Sequence, residues 1–88
     1  MKQGQIVLVK SGRDKGSFMA VVELKDGFVY LADGKRRRLQ RPKKKNVSHV
    51  AATKGEVNLV PECGRGLQDA DIAKAIRTFV LKEVTHIV

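Results

Sequence analysis

Eight of the eleven residues from position 35 to position 45 are cationic: Lys35, Arg36, Arg37, Arg38, Arg41, Lys43, Lys44 and Lys45. None of the eleven is acidic. Side chains of these types at this density are suited to meeting a chain of anions. The planar arginine fork binds phosphate through two parallel hydrogen bonds and stacks on bases, whereas lysine acts as a point charge. A second cationic group lies upstream, where Lys10, Arg13 and Lys15 fall in and beside the turn Gly12-Arg13-Asp14-Lys15-Gly16. His49 stands near Val47 and Val50, both candidates for the core, and reads as a further polyanion contact or as a satisfied edge residue.

Other chemistries lack their residues. His49 and His86 are far apart in sequence, and Cys63 stands alone. No CxxC, HExxH or carboxylate cluster offers metal ligands at a workable spacing. The Gly12-to-Gly16 turn has the look of a phosphate loop but lacks the Gly-Lys-Ser/Thr ending that positions metal and phosphate. Ser11 and Ser17 have no acid–base partner nearby to make either a nucleophile. The expectation is a binding protein with no catalytic residue, metal, cofactor or small-molecule substrate.

The totals agree with that expectation. A chain of 88 residues forms one small domain that buries only about 60–65% of its unfolded surface. Little room is left for a deep cleft. The net charge is +9, which draws the chain toward nucleic acid, an anionic membrane face or an acidic protein. Up to Lys54 there are 14 Lys and Arg against 4 Asp and Glu; beyond it there are 4 against 5. The basic charge is therefore concentrated in the first part. A single cysteine builds no internal disulfide, which points to a reducing compartment, and Cys63 reads as an inert thiol. The opening MKQGQIVLVKSG holds only four consecutive apolar residues, too few for a signal peptide or a membrane span. A soluble, cytoplasmic protein without membrane contact is expected.

The elements that must carry these cations are short strands. Ile6, Val7, Leu8 and Val9 form a β-branched apolar run between turn residues. A second strand covers residues 18–24, with Phe18, Ala20, Val22 and Leu24 sharing one face if the period is two. Lys25-Asp26-Gly27 is a turn, residues 28–32 a third strand, and Asp33-Gly34 another turn. An Asp-Gly dipeptide between apolar runs is a hairpin signal, since both central positions of a type I′ turn need positive φ. Residues 36–39 then read as the returning strand, ended or held at the edge by Pro42. On such a strand Arg36 and Arg38 face one side, Lys35 and Arg37 the other. Lys43, Lys44 and Lys45 read as a loop, and residues 47–52 as the closing strand with Val47 and Val50 in the core.

Beyond Thr53 a short strand is expected over residues 56–60, then a loop over 61–66, then a helix over 69–83. The helix carries an apolar stripe of Ile72, Ile76, Phe79, Val80 and residue 83 or 84. Gln68 or Asp69 is its cap, Leu67 and Ile72 suit a hydrophobic staple, and Asp69 and Asp71 suit the positive end of the helix dipole. Lys74, Arg77 and Lys82 lie on the outer face. The fold class is mainly β: a small antiparallel barrel or curled sheet with a C-terminal helix packed on it.

A cationic run set between two hairpins is a folded surface and not a tail. Solubility or nuclear targeting would account for the charge density alone. The hairpin context favours a rigid ridge for a polyanion. Three Phe, one Tyr and no Trp leave Tyr30 as the candidate stacking side chain, fewer than a single-strand stacking platform uses. No helix is basic enough along one face to fill a major groove. Structured RNA, recognised by shape and backbone, is the partner these features suit.

The segment from Gly4 to Gly16, followed by Ala20-Val21-Val22, resembles the KOW motif, a strand–loop–strand of SH3-like barrels in ribosomal proteins and transcription elongation factors. The 12–16 turn, Phe28-Val29-Tyr30-Leu31 and Lys35-Arg36-Arg37-Arg38 are similar to the archaeal and eukaryotic large-subunit ribosomal proteins called L-fourteen-e. Arg41-Pro42-Lys43-Lys44-Lys45 with His49 resembles small bacterial KOW proteins grouped with them. The likeness is good over residues 4–53 and looser beyond. Residues 39–46 are longer and more basic than in the ribosomal members. The resemblance implies a KOW, SH3-like barrel over residues 1–54, with a short strand and helix over 55–88 in the same compact domain. It also implies ribosomal RNA as partner, with large-subunit ribosomal proteins admitted as further partners. A KOW-type protein-docking module and a non-specific nucleic-acid binder are the alternatives.

Overall fold

A computed structural model describes residues 1–58 and 66–87, with backbone alone over 83–87. Five strands form one antiparallel sheet: β1 (Gln5–Val9), β2 (Phe18–Lys25), β3 (Phe28–Ala32), β4 (Lys43–Asn46) and β5 (Val50–Glu56). A 3-10 turn, Val47–His49, joins β4 to β5, and one helix, α1 (Asp69–Ile87), follows. The order across the sheet is β4-β3-β2-β1-β5. Its outer strands β4 and β5 do not pair with each other, so the curled sheet is not closed into a barrel.

The first three strands follow their apolar runs. Lys25 pairs with Phe28 across a two-residue turn in which Asp26 and Gly27 have φ of 52° and 80°. Both central residues are thus left-handed, as the Asp-Gly signal requires. The simple alternation along β2 breaks at one point. Val21 pairs with Leu31 and Glu23 with Tyr30, so Val22 is an extra residue. That bulge shifts the phase by one. Leu24 lies opposite Val29, on the face of Val21, and is exposed instead of sharing a buried row with Phe18, Ala20 and Val22.

Buried apolar residues lie on both faces of the curled sheet. One gathers Val7, Val9, Met19, Val21, Val29, Leu31 and Val50 from β1, β2, β3 and β5. The other packs Ile6, Ala20, Ala32 and Val57 against Ile72 of α1, with Phe18, Leu39, Leu67, Ile76 and Phe79 around them. Phe18 and Phe79 meet edge to face with centroids 5.6 Å apart. Full burial of a side chain such as Ile72 stabilises by about 1.5–3 kcal/mol. Gln68 is the helix cap: its carbonyl accepts from the amides of Asp71 and Ile72, and its own amide donates to Asp71 Oδ2. The Asp71 carboxylate thus makes the return bond of a capping box, with Leu67 packed into the cluster of Ile72 as a staple.

The stretch after β3 departs from the expectation. Residues 36–39 are not a strand: the chain turns and bends from 34 to 41, and Lys43, Lys44 and Lys45 are the strand instead of a loop. Asp33 explains the difference. Its Oδ1 accepts from the amides of Lys35 (2.8 Å) and Arg37 (2.9 Å), and its own amide donates to the Arg37 carbonyl. A side chain that satisfies two backbone donors locally competes with a hairpin ladder. Pro42 then precedes β4, where its missing donor costs no ladder bond. Val47 lies in the 3-10 turn and is exposed, so the last strand begins at Val50. Glu56 ends β5, and Val57 and Asn58 are not strand; the loop and strand expectations over 59–65 lie outside the described residues. The helix runs past the expected Glu83 to Ile87.

Gly34 has φ of 80°, and a Cβ there would overlap the carbonyl oxygen of Asp69 at the start of α1. Gly34→Ala is expected to lower stability by about 2 kcal/mol, through left-handed strain and the backbone overlap together. Chemical unfolding of the variant measures this; a midpoint equal to wild type would show that the loop does not press on the helix.

Candidate nucleic-acid interface

The turn after β1 is the centre of the cationic region, and three later segments touch it. Arg37 Nη2 donates to Asp14 Oδ2 at 3.0 Å. Lys45 Nζ donates to the Ser11 carbonyl at 2.7 Å. The Lys10 amide donates to the His49 carbonyl at 2.8 Å. Residues distant in the chain are thereby gathered around one loop. The loop itself is tight, with the Lys15 amide donating to the Gly12 carbonyl and the Ser17 amide to the Asp14 carbonyl. Gly12 has φ of 85°, a left-handed backbone that favours glycine, and a Cβ there would stand 2.6 Å from Lys45 Nζ, the movable end of that side chain.

The twelve expected site residues do not play one role. Arg37 and Lys45 are half-buried and bonded inward, and act as clamps. Asp14 is 3% exposed, which makes its pairing with Arg37 nearly a buried ion pair. The Arg37 Nε is buried without a hydrogen-bond partner. By contrast Lys10, Arg13, Lys15, Lys35, Arg36, Arg38 and Arg41 are exposed, and none pairs with a carboxylate among the described residues. The expected split of Lys35 and Arg37 from Arg36 and Arg38 does not occur. Arg37 alone turns in.

Strand β4 divides its lysines. Lys43 and Lys45 lie opposite Leu31 and Val29, whereas Lys44 lies opposite Tyr30 on the other face. Lys44 Nζ stands 4.3 Å from the centre of the Phe28 ring, a cation–π contact. Lys44 therefore sits on the opposite face of the sheet from the other two. His49 is exposed at the end of the 3-10 turn and reaches the loop through its backbone carbonyl.

Three residues that carry the arrangement are acids: Asp14, Asp33 and Asp69. Asp69 Oδ1 accepts from the Leu39 amide at 2.8 Å and joins the cationic loop to α1. The signal that could have marked Asp14 and Asp33 is their position, isolated acids within a strongly basic stretch. Local signals marked Asp69 only as a residue of the helix start, and none marked its bond to Leu39. Cys63 lies outside the described residues, as does the side chain of His86. Among the described residues no group of three or more His, Cys, Asp or Glu could hold a metal ion. No helix among them is long and apolar enough to cross a membrane.

Fold and site together define a class: a small antiparallel β-sheet protein with one packed helix and a clamped pair of cationic loops. No protein-family model and no curated protein matches the chain in sequence.

Proposed function

We propose that the chain binds structured RNA, ribosomal RNA foremost, by its phosphates, as a ribosome-associated protein without catalytic activity. The observation that carries this reading is the joining of the 10–16 loop to the 33–42 loop by the Arg37–Asp14 pair and to β4 by the Lys45–Ser11 contact. These hold Arg13, Lys15, Lys35, Arg36, Arg38 and Arg41 on a folded support, exposed and unpaired with any carboxylate among the described residues. Pre-ordered cations lose little entropy when they meet a phosphate chain. The aromatics support backbone reading over base stacking. Phe18 packs on Phe79, Phe28 lies beneath Lys44, and Tyr30 is half-buried opposite Lys44.

The resemblance to KOW proteins of the L-fourteen-e kind supports the same reading. A strand order in which β1 pairs with both β2 and β5, with a 3-10 turn before β5, suits a partly open SH3-like barrel.

Titrating a labelled RNA hairpin tests the proposal. If about six phosphates are neutralised, affinity is expected to fall by about three decades between 50 and 200 mM salt. A flat salt profile rejects it. Sedimentation of lysate on a gradient addresses the ribosomal part: the protein is expected with the large subunit and leaves as salt rises. Co-sedimentation that survives nuclease treatment would instead favour protein docking.

A further inference from the structure

We propose that Asp69 is a positioning residue of this interface: from the first turn of α1 it holds the cationic loop in its binding conformation without itself touching RNA. The inference rests on the RNA reading above. Lys35, Arg36, Arg37 and Arg38 are strung between two points of attachment, and both lie on the same helical turn. On one side Gly34 presses against the Asp69 carbonyl, with a Cβ position 3.0 Å from the Ala73 amide nitrogen. On the other, the Leu39 amide donates to Asp69 Oδ1, and the Leu39 side chain joins the cluster of Ile72 and Ile76. The capping of α1 is already supplied by Gln68 and Asp71. The Asp69 carboxylate is left to serve the loop.

Charge counting and positioning predict opposite signs for its removal. An acid behind a polyanion site weakens the attraction, so deleting it on electrostatic grounds alone tightens RNA binding about twofold. If the carboxylate instead orders the loop, deleting it lowers the competent fraction to about 0.1–0.2 and weakens apparent affinity about five- to tenfold.

Asp69→Ala and Asp69→Asn separate the two in the full chain, titrated with one RNA hairpin at several salt concentrations. Asp69→Ala is expected to bind about five- to tenfold more weakly with an unchanged salt slope, because no phosphate contact is lost. Asp69→Asn keeps an oxygen for the Leu39 amide and is expected to bind as tightly as wild type or slightly tighter. Without RNA, the Leu39 amide is expected to exchange faster in Asp69→Ala than in Asp69→Asn. Wild-type affinity or better in Asp69→Ala, or an equal loss in both variants, overturns the proposal. A wild-type protein that ignores RNA would reject the functional reading instead, and Leu39 exchange would still judge the attachment.

Discussion

A variant carrying Arg36→Ala, Arg38→Ala and Arg41→Ala is expected to bind structured RNA about a hundredfold more weakly than wild type near 0.15 M salt. Each phosphate contact releases counterions worth about 0.7 decade of affinity at that salt, so three contacts amount to about two decades. All three side chains are exposed and unpaired with acids among the described residues, so their truncation leaves no buried group stranded. Stability is expected to stay within about 0.5 kcal/mol of wild type. The plot of log affinity against log salt is expected to flatten by about three. Retention of both affinity and slope would show that these arginines do not face the RNA.

Arg37, from the same run, behaves differently. Arg37→Ala is expected to destabilise the fold by about 3 kcal/mol, the low end for breaking a buried pair because the arginine side chain is 31% exposed. The large term is the carboxylate left behind, since the Asp14 side chain is only 4% exposed and its ionic partner is gone. Asp14→Ala is expected to cost less, about 1–2 kcal/mol, because the freed guanidinium still reaches water. The Asp14→Ala, Arg37→Ala double variant is then expected to be more stable than Arg37→Ala alone. Urea unfolding of the three variants gives the comparison. An Arg37→Ala protein as stable as Arg36→Ala would mean that the pair holds nothing together.

The two results together would divide a run that looks uniform. Composition and spacing mark 35–45 as a candidate polyanion surface, yet the four consecutive cations at its start carry no sign of which one turns inward. Arg37 is distinguished by a partner 23 residues away, and a contact at that range has no local pattern. Lys45 is distinguished in the same way by the Ser11 carbonyl.

The first three strands and the helix were legible because their information is local. Ile6 to Val9, the Asp26-Gly27 turn and the 3.6-residue spacing of Ile72, Ile76 and Phe79 each state a backbone preference within a few residues. The two Asp-Gly pairs show where this ends. Asp26-Gly27 makes the two-residue hairpin, whereas Asp33 bonds its own loop and Gly34 fits beneath α1. Strand β4 is three lysines and an asparagine, with no strand propensity to announce it, and exists because β3 offers it a ladder. By itself the sequence determined that the chain is basic in its first part, mainly β, and closed by an amphipathic helix. Tertiary structure alone decided that the sheet stays open, which cations are clamps and which stand exposed without a carboxylate partner among the described residues. Those outcomes depend on groups brought together from distant positions, where a carboxylate or carbonyl oxygen meets an amide, guanidinium or ammonium group only after the sheet and helix have packed.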